Sequence, residues 1–280
     1  MKPALAQVCS LGSSLENDIE EYAAGQCQAI ELWWGKVDAY LEKHSTADLR
    51  GLLERHRMTA PVISYQGGLL TSQGDYRQEH WASFTRRLAI CRELGVQTMV
   101  VAGDIAGPLG QQDLDRIQVS LAQAAELAGE QGVRLALEFQ GRAALANNLQ
   151  TAASLVGQIG SPHLGLCLDL FHYYIGPSKA EDLVYLTPAN LFHVQLCDLA
   201  GTVREMAADG DRVLPGNGDF QIEPVVEHLR RIGYDGYVSV ELMNPQIWLV
   251  PPRQFGEIAL TALRRVLGLA SMGDEPKEAE

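Results

Sequence analysis

Several features are missing from this sequence of 280 residues, and each absence excludes a class of protein. No apolar run approaches the roughly 18 residues that span a bilayer, and no long apolar segment near the start resembles a signal peptide. Lys and Arg number 22 against 35 Asp and Glu, which gives a net charge of −13. Nucleic-acid binding requires basic surface to neutralise phosphates. We therefore expect a cytoplasmic protein that binds neither a membrane nor a nucleic acid.

Paired cysteines and a nucleotide-binding glycine motif are also absent. The five cysteines form no CxxC pair, so the pattern predicts neither a disulfide framework nor a cysteine-based zinc site. Cys167 and Cys197 lie in apolar runs, where cysteine usually behaves as a small buried hydrophobe. No GxGxxG motif follows the first apolar run, which disfavours an open dinucleotide-binding sheet.

What the chain does contain is an alternation of short apolar runs with longer segments of helical period, which is typical of βα units. Eight strands are predicted, at Ala4–Cys9, Ala29–Leu32, Pro61–Ser64, Thr98–Ala102, Arg134–Phe139, Leu164–Asp169, Leu191–Leu196 and Tyr237–Glu241. Helices are predicted at Leu15–Ala24, Asp48–Arg57, Tyr76–Leu94, Leu114–Glu130, Asn148–Ile159, Glu223–Arg231 and Phe255–Leu269, with a weak one at Ala180–Leu186.

Polar residues recur at the C-terminal end of one predicted strand after another, in both halves of the chain. A barrel places its chemistry at that one rim, whereas an open sheet concentrates it at a single switch point. The pattern therefore predicts an α/β fold made of a single (β/α)₈ TIM barrel over residues 1–270. The polar sequence SMGDEPKEAE over residues 271–280 is predicted to be a disordered tail.

Four of these rim positions carry residue types that bind metals. Glu138 closes VRLALEF, Asp169 follows LGLCL, His193 lies in LFHVQLCD and Glu241 closes YDGYVSVE. Neighbouring parallel strands lie roughly 4.8 Å apart, so these side chains can converge on one ion. Carboxylates suit Mn²⁺, Mg²⁺ or Co²⁺, and the imidazole also admits Zn²⁺ or Fe²⁺. We predict a divalent metal, with Mn²⁺ first.

Each of these residues also has an ordinary structural interpretation. His193 could be a hydrogen-bonded core residue, Asp169 could cap the following turn, and Glu241 could pair with an arginine. Their placement at four consecutive strand ends favours the metal site over three independent structural roles, because buried unpaired carboxylates are rare.

The motifs ALEF, LCLDLFH, HVQLCD, LPGNGDF and SVEL together resemble the sugar phosphate isomerase/epimerase superfamily of xylose isomerase-like TIM barrels. The resemblance implies that Glu138, Asp169, His193 and Glu241 are the metal ligands. It also implies that Glu138 and Glu241 serve as catalytic acid and base. The superfamily includes endonuclease IV, but that enzyme's three-zinc site needs many more histidines than the seven of this acidic chain.

The resemblance further implies substrate contacts by His172 and by an arginine before the LPGNGDF loop, for which Arg212 matches better than Arg204. We expect that loop to be a shaped turn that positions Arg212, although glycine-rich turns can also bind phosphate. Gln195 shares a strand face with His193 by alternation, and we predict that it contacts the substrate.

Two further predicted substrate residues follow the early strands. Trp33 suits the apolar face of a polyhydroxylated ring, although it could equally plug the end of the barrel, and Gln66 follows the third strand. Glu31, at the second strand, could serve as a catalyst or as a structural partner.

The favoured function is a divalent-metal-dependent isomerase or epimerase acting on a free or phosphorylated ketose or cyclic keto-polyol. The reaction would abstract a proton through an enediolate that the metal stabilises. The alternative is a metal-dependent dehydratase of an inosose, a 3-dehydroshikimate-like acid or an oxidised sugar, and a third is a non-catalytic sugar-binding barrel. The resemblance also implies a homo-oligomer.

Overall fold

The computed structural model describes residues 1–269, and in it the apolar runs form a closed barrel of eight parallel strands. The barrel order is β1, β2, β3, β4, β5, β6, β7 and β10, which returns to β1. These strands are Lys2–Ala6, Ala29–Trp33, Thr59–Gln66, Thr98–Ala102, Arg134–Glu138, Leu164–Asp169, Leu191–Leu196 and Tyr237–Val240. The predicted (β/α)₈ barrel is thus confirmed.

Nine α-helices occur in the described part of the chain. They are α1 to α9, at Leu15–Ala24, Trp34–Leu41, Thr46–Arg55, Gly74–Leu94, Gln111–Glu130, Leu149–Ile159, Leu170–Ile175, Ile222–Arg231 and Pro252–Leu267. Local chemistry sets several of the boundaries, since Ser14, Ser45 and Asn148 cap the first turns of α1, α3 and α6. Within residues 1–269, no helix is both long and apolar enough to cross a membrane.

Two predictions about the elements are corrected. The first strand ends at Ala6, and the predicted remainder, up to Cys9, lies in a 3₁₀ helix over Gln7–Ser10. The crossover after β6 contains the six-residue helix α7 and then a 3₁₀ helix over Ala180–Tyr185, rather than a conventional α-helix. Helix α2 was not predicted at all. The predicted tail at residues 271–280 lies outside the described residues, and all five cysteines are buried and free, as expected.

The strand register determines which side chains share the barrel interior. Glu138 pairs with Cys167, Cys167 with His193, and Asp169 with Gln195. Since side chains alternate along a strand, these positions point to the same side as Ser239, which pairs with Gln195. The candidate residues therefore lie in adjacent layers near the C-terminal rim.

A small antiparallel ladder closes part of this rim. Strands β8 (Asp198–Leu199) and β9 (Arg212–Val213) pair Leu199 with Arg212. The ladder returns the long segment after β7 to the barrel and fixes the backbone of Arg212 beside the strand ends.

Candidate active site

A cavity of about 250 Å³ lies at the C-terminal rim of the barrel. Its wall combines three carboxylates and an imidazole with aromatic, apolar and neutral polar side chains. The lining residues are Val8, Trp33, Ser64, Tyr65, Glu138, Gln140, His172, Asp209, Glu241 and Met243. The cavity thus includes both predicted catalytic glutamates, together with His172 and Trp33.

Glu138, Asp169 and His172 form a compact group on β5, β6 and α7. One ligand atom of each lies within 4.8 Å of the others. The Nε2 atom of His172 is 3.4 Å from Oε1 of Glu138 and 3.7 Å from Oδ2 of Asp169. Gln140 donates a hydrogen bond of 2.9 Å to Glu138. Burial raises the pKa of Glu138 well above its usual range, and the nearby charge of Asp169 raises it further.

Glu241, the fourth predicted ligand, joins this group through Arg212. The guanidinium donates to Glu241 at 3.0 Å, to Asp169 at 2.8 Å and to Asp209 at 2.8 Å. It is fully buried, and its Cζ atom lies 4.3 Å from the ring centre of Phe171. Burial raises the pKa of Glu241 well above its usual range, despite the opposing effect of Arg212.

His193 lies in the barrel interior and contacts a different carboxylate. Its Nε2 atom is 2.8 Å from Oε2 of Glu31 and 3.3 Å from the hydroxyl of Ser239. Its Nδ1 atom is buried and has no hydrogen-bond partner within the described chain. Burial tends to raise the pKa of Glu31, but the charge of His193 and the hydrogen bond between them lower it overall.

The three structural interpretations of these residues are all realised. Asp169 caps α7 by accepting from the amide of Phe171 at 2.8 Å, Glu241 pairs with Arg212, and His193 is hydrogen-bonded in the core. Support for a metal site must therefore come from charges and hydrogen-bonding atoms that these three structural roles do not account for.

Two observations show that the residues fit a divalent metal. First, Glu138, Asp169, Glu241 and Asp209 carry four carboxylates, and within residues 1–269 Arg212 is the only Lys or Arg paired with any of them. Three of the four are buried, and ionising them together is costly without a further cation. Second, a buried imidazole nitrogen without a partner, whose other nitrogen is held by a carboxylate, is the usual state of a metal-binding histidine.

The structure does not bring Gln66, Gln195 and Arg212 to the cavity wall, although the sequence predicted substrate contacts for all three. Each is buried. Gln66 accepts from Arg87 at 2.9 Å and donates to the carbonyl of Gly67. Gln195 donates both amide protons to glutamates, and the donors of Arg212 are used by carboxylates. Their hydrogen-bonding groups are thus directed to the protein.

The LPGNGDF loop is fixed by a single carboxylate. Asp198 accepts hydrogen bonds from the amides of Leu199, Gly216 and Phe220 at 2.9, 3.0 and 2.9 Å. Gly218 packs so closely that an added Cβ would lie 2.3 Å from the carbonyl oxygen of Leu199. With the amides of Asn217 and Asp219 bonded to the carbonyls of Leu214 and Leu199, four of the loop amides are already bonded, and the loop packs against the ladder that carries Arg212.

Sequence reasoning missed several polar residues of the cavity, among them Ser64, Gln140 and Asp209. Asp209 lies in the loop after β7, is about half exposed and binds Arg212. It precedes Arg212 by three residues in DGDR, a spacing that would have suggested a local ion pair. Glu31, whose role the sequence left open, is a structural partner of His193.

Known proteins resemble this chain in sequence and in fold. The family model for the xylose isomerase-like TIM barrel matches residues 20–265. An inosose isomerase of Halalkalibacterium halodurans is 33% identical over 253 residues, covering 89% of this chain and 90% of that protein. A 3-dehydroshikimate dehydratase of Pseudomonas putida is 25% identical over 94% of this chain but only 41% of its own length.

A solved structure has the same fold. The crystal structure of the IolI protein with a bound zinc atom superposes with a TM-score of 0.90. The sequences are 24% identical, and the match covers 97% of this chain and all of that one.

Proposed function

Since the chain belongs to the xylose isomerase-like TIM barrel family, we propose that it is a metal-dependent isomerase or epimerase of an uncharged ketose or cyclic keto-polyol. The observation that carries the proposal is the cavity wall, on which Glu138 and Glu241 both present carboxylates. Isomerases and epimerases of this kind move a proton at the carbon beside a carbonyl, and two carboxylates from different strands suit that task.

The ligands of the metal are proposed to be Glu138, Asp169, His193 and Glu241. When bound, the metal supplies Lewis-acid polarisation of the carbonyl. We place Mn²⁺ first because three of the four ligands are carboxylates. Zn²⁺ is the strongest competitor, and a zinc atom is bound in the IolI structure.

The protein's own groups would hold and move the proton. In an epimerisation one of the two glutamates removes it as a base, and the other, in its protonated form, delivers its own proton to the opposite face. In an isomerisation the glutamate that removed the proton passes it to the neighbouring carbon, while a hydroxyl proton moves to the former carbonyl oxygen. Gln140 orients Glu138 through its hydrogen bond. His172 lies on the wall with a buried Nδ1 that has no partner in the described chain. Burial lowers the pKa of His172, so the neutral ring can hydrogen-bond a substrate oxygen.

The acidic side chains of the cavity wall favour an uncharged substrate. Of its ten residues three are Asp or Glu, and none is Lys or Arg. A substrate carboxylate or phosphate would find no cationic side chain to bind it, so an uncharged polyol is favoured over a 3-dehydroshikimate-like acid or a sugar phosphate. Trp33 and Tyr65 supply aromatic surface for the C–H face of such a ring.

A dehydratase is the second candidate, and the relative in Pseudomonas putida carries that name. The same proton abstraction would then be followed by loss of a β-hydroxyl. His172, which lines the cavity beside Glu138, is placed to hydrogen-bond the departing hydroxyl. The raised pKa of Glu138 and Glu241 suits whichever of them is not the base to protonate it.

The deciding experiment is elemental analysis of the purified protein, followed by proton NMR in D₂O with added Mn²⁺ or Zn²⁺. Ketoses, keto-inositols and 3-dehydroshikimate form the substrate panel. Deuterium at the carbon beside a carbonyl, followed by isomerised or inverted product, supports the proposal, whereas an alkene or deoxy-ketone product identifies a dehydratase. Sugar binding without exchange or turnover of any compound would contradict both.

A further inference from the structure

Gln195 lies at the centre of a hydrogen-bond chain that runs from His193 through Glu31 and Gln195 to Glu241. The proposed proton transfer gives Gln195 itself no role. Its side chain is fully buried in the barrel. The amide nitrogen donates one hydrogen bond to Oε1 of Glu31 and one to Oε1 of Glu241, each at 2.9 Å. Both amide protons are therefore used, and each is directed at a carboxylate.

Cys167 fixes which way this amide faces. Its Sγ atom donates to Oε1 of Gln195 at 3.1 Å, and it is fully buried beside the amide. A flipped amide would turn its carbonyl oxygen towards the two carboxyl oxygens that now accept its protons, and its protons towards the thiol, so both hydrogen bonds of 2.9 Å would be lost. The assigned orientation is thus the one that the neighbours require.

The chain of contacts links the two sides of the site. The second oxygen of Glu31 holds Nε2 of His193, and the second oxygen of Glu241 accepts from Arg212. Gln195 therefore restrains Glu241 from one side while Arg212 restrains it from the other, and no part of Gln195 lines the cavity.

We propose that Gln195 is a positioning residue, whose amide fixes the Glu241 carboxylate for proton transfer and couples its orientation to that of His193 through Glu31. Cys167 assists by fixing the amide. This inference rests on the proposed function, because Glu241 acts there on the proton of the substrate. It differs from a substrate-binding role, which would require the amide to reach the cavity.

The first test is the Gln195→Met variant, which nearly preserves length and volume but removes both donors. We expect kcat to fall about 10- to 100-fold, the range for losing a hydrogen bond to a charged group, while KM changes less than about twofold. A rise in KM with kcat retained would overturn the proposal, because it would place Gln195 against the substrate.

Cys167 provides a matched pair that does not disturb Gln195 itself. Cys167→Ser keeps a donor to the amide oxygen and should retain kcat, whereas Cys167→Ala removes it and should lower kcat by about fivefold, as expected for one neutral hydrogen bond. Equal kcat in the two variants would overturn the role of the thiol. If Gln195→Met fails to fold, this pair decides the proposal, and equal kcat together with an unmoved Glu241 in a crystal structure of Cys167→Ala would overturn it.

A crystal structure of Gln195→Met tests the positioning without any substrate. Displacement of the Glu241 carboxylate from its present position supports the inference, and an unmoved, equally ordered Glu241 contradicts it. If the wild-type protein turns over no member of the substrate panel, the proposed function fails, and the crystal structure still decides whether Gln195 positions Glu241.

Discussion

The Glu241 carboxylate combines several roles in the site. It lines the cavity, pairs with Arg212 and accepts from Gln195. A carboxylate oxygen that is both a proton acceptor and a proposed metal ligand is not replaced by an amide, which has nearly the same shape but no charge. Activity at this position should therefore depend on charge far more than on volume.

We predict that Glu241→Gln folds normally but loses activity by roughly 10²- to 10⁴-fold, the usual contribution of a general acid or base. Steady-state kinetics on the substrate identified by NMR measures the loss, and circular dichroism checks the fold. Glu205→Gln is the control, because Glu205 is exposed and, within residues 1–269, its carboxylate pairs only with Arg204. Normal turnover by Glu241→Gln would show that the site is assigned wrongly.

Glu31 contacts the proposed metal ligand His193 without reaching the cavity. It holds Nε2 of His193 at 2.8 Å, so the partnerless Nδ1 is the nitrogen left for a metal. We predict that Glu31→Gln lowers metal affinity about 10- to 100-fold, as is typical when a partner of a metal-binding histidine is changed. Calorimetric titration with Zn²⁺ and Mn²⁺ measures this without substrate, and unchanged affinity would argue against His193 as a ligand.

At the scale of elements, the ladder of β8 and β9 and the loop that follows hold Arg212 at the rim. Asp198 is buried and accepts from three backbone amides. Its removal leaves those donors without their acceptor, and one charge-assisted hydrogen bond contributes about 1.5–3 kcal/mol.

We therefore predict that Asp198→Ala lowers the free energy of unfolding by about 2–4 kcal/mol, since water can satisfy part of what is lost. Denaturant unfolding measures this change. Asp219→Ala is the matched control, because Asp219 is exposed in the same loop and its side chain makes no hydrogen bond within the described chain. A similar loss of stability in both variants would contradict the assigned role of Asp198.

The elements also show what could be predicted from sequence. Strands buried on both faces give unbroken apolar runs, so Thr98–Ala102, Leu164–Asp169 and Leu191–Leu196 were predicted with their observed bounds. The continuation of β1 was predicted wrongly because Val8 and Cys9 prolong the apolar run beyond Ala6, although the backbone over Gln7–Ser10 turns into a 3₁₀ helix. Helix α2 begins directly after β2 and lacks a capping residue, so no boundary marked it.

The same reasoning applies to the site. Sequence placed Glu138, Asp169, His193 and Glu241 at or near the rim because strand ends are readable from hydrophobic runs. The sequence could not show that the hydrogen-bond donors of Gln195 and Arg212 are taken up by carboxylates, because residues such as Glu31 and Asp169 come from strands distant in sequence. The alternation of side chains along a strand shows on which face of the strand a residue lies. Its hydrogen-bond partner depends on the register between strands of the barrel, which the sequence does not show.

For the whole molecule, the acidic site couples stability to pH and to metal. In the metal-free protein, burial raises the pKa of Glu138 and Glu241 above their usual value of 4.5. Groups of this kind stabilise the fold fully below about pH 4.5, and that contribution is lost as the pH rises towards their raised pKa. The lowered pKa of His172 acts in the opposite direction, but only below its usual value of 6.5.

We therefore predict that the Tm of the metal-free protein falls as the pH rises above about 6.5, whereas the metal-loaded protein does not show this decline. A divalent cation favours the ionised carboxylates, so the difference in Tm between the two forms should grow across this range. Scanning calorimetry with chelator and with Mn²⁺ measures both. In the Glu138→Gln variant, the Tm of the metal-free protein should depend less steeply on pH, because one titrating carboxyl is removed. If the Tm of the metal-free wild-type protein rises over the same pH range, these carboxyls are not protonated in the folded state.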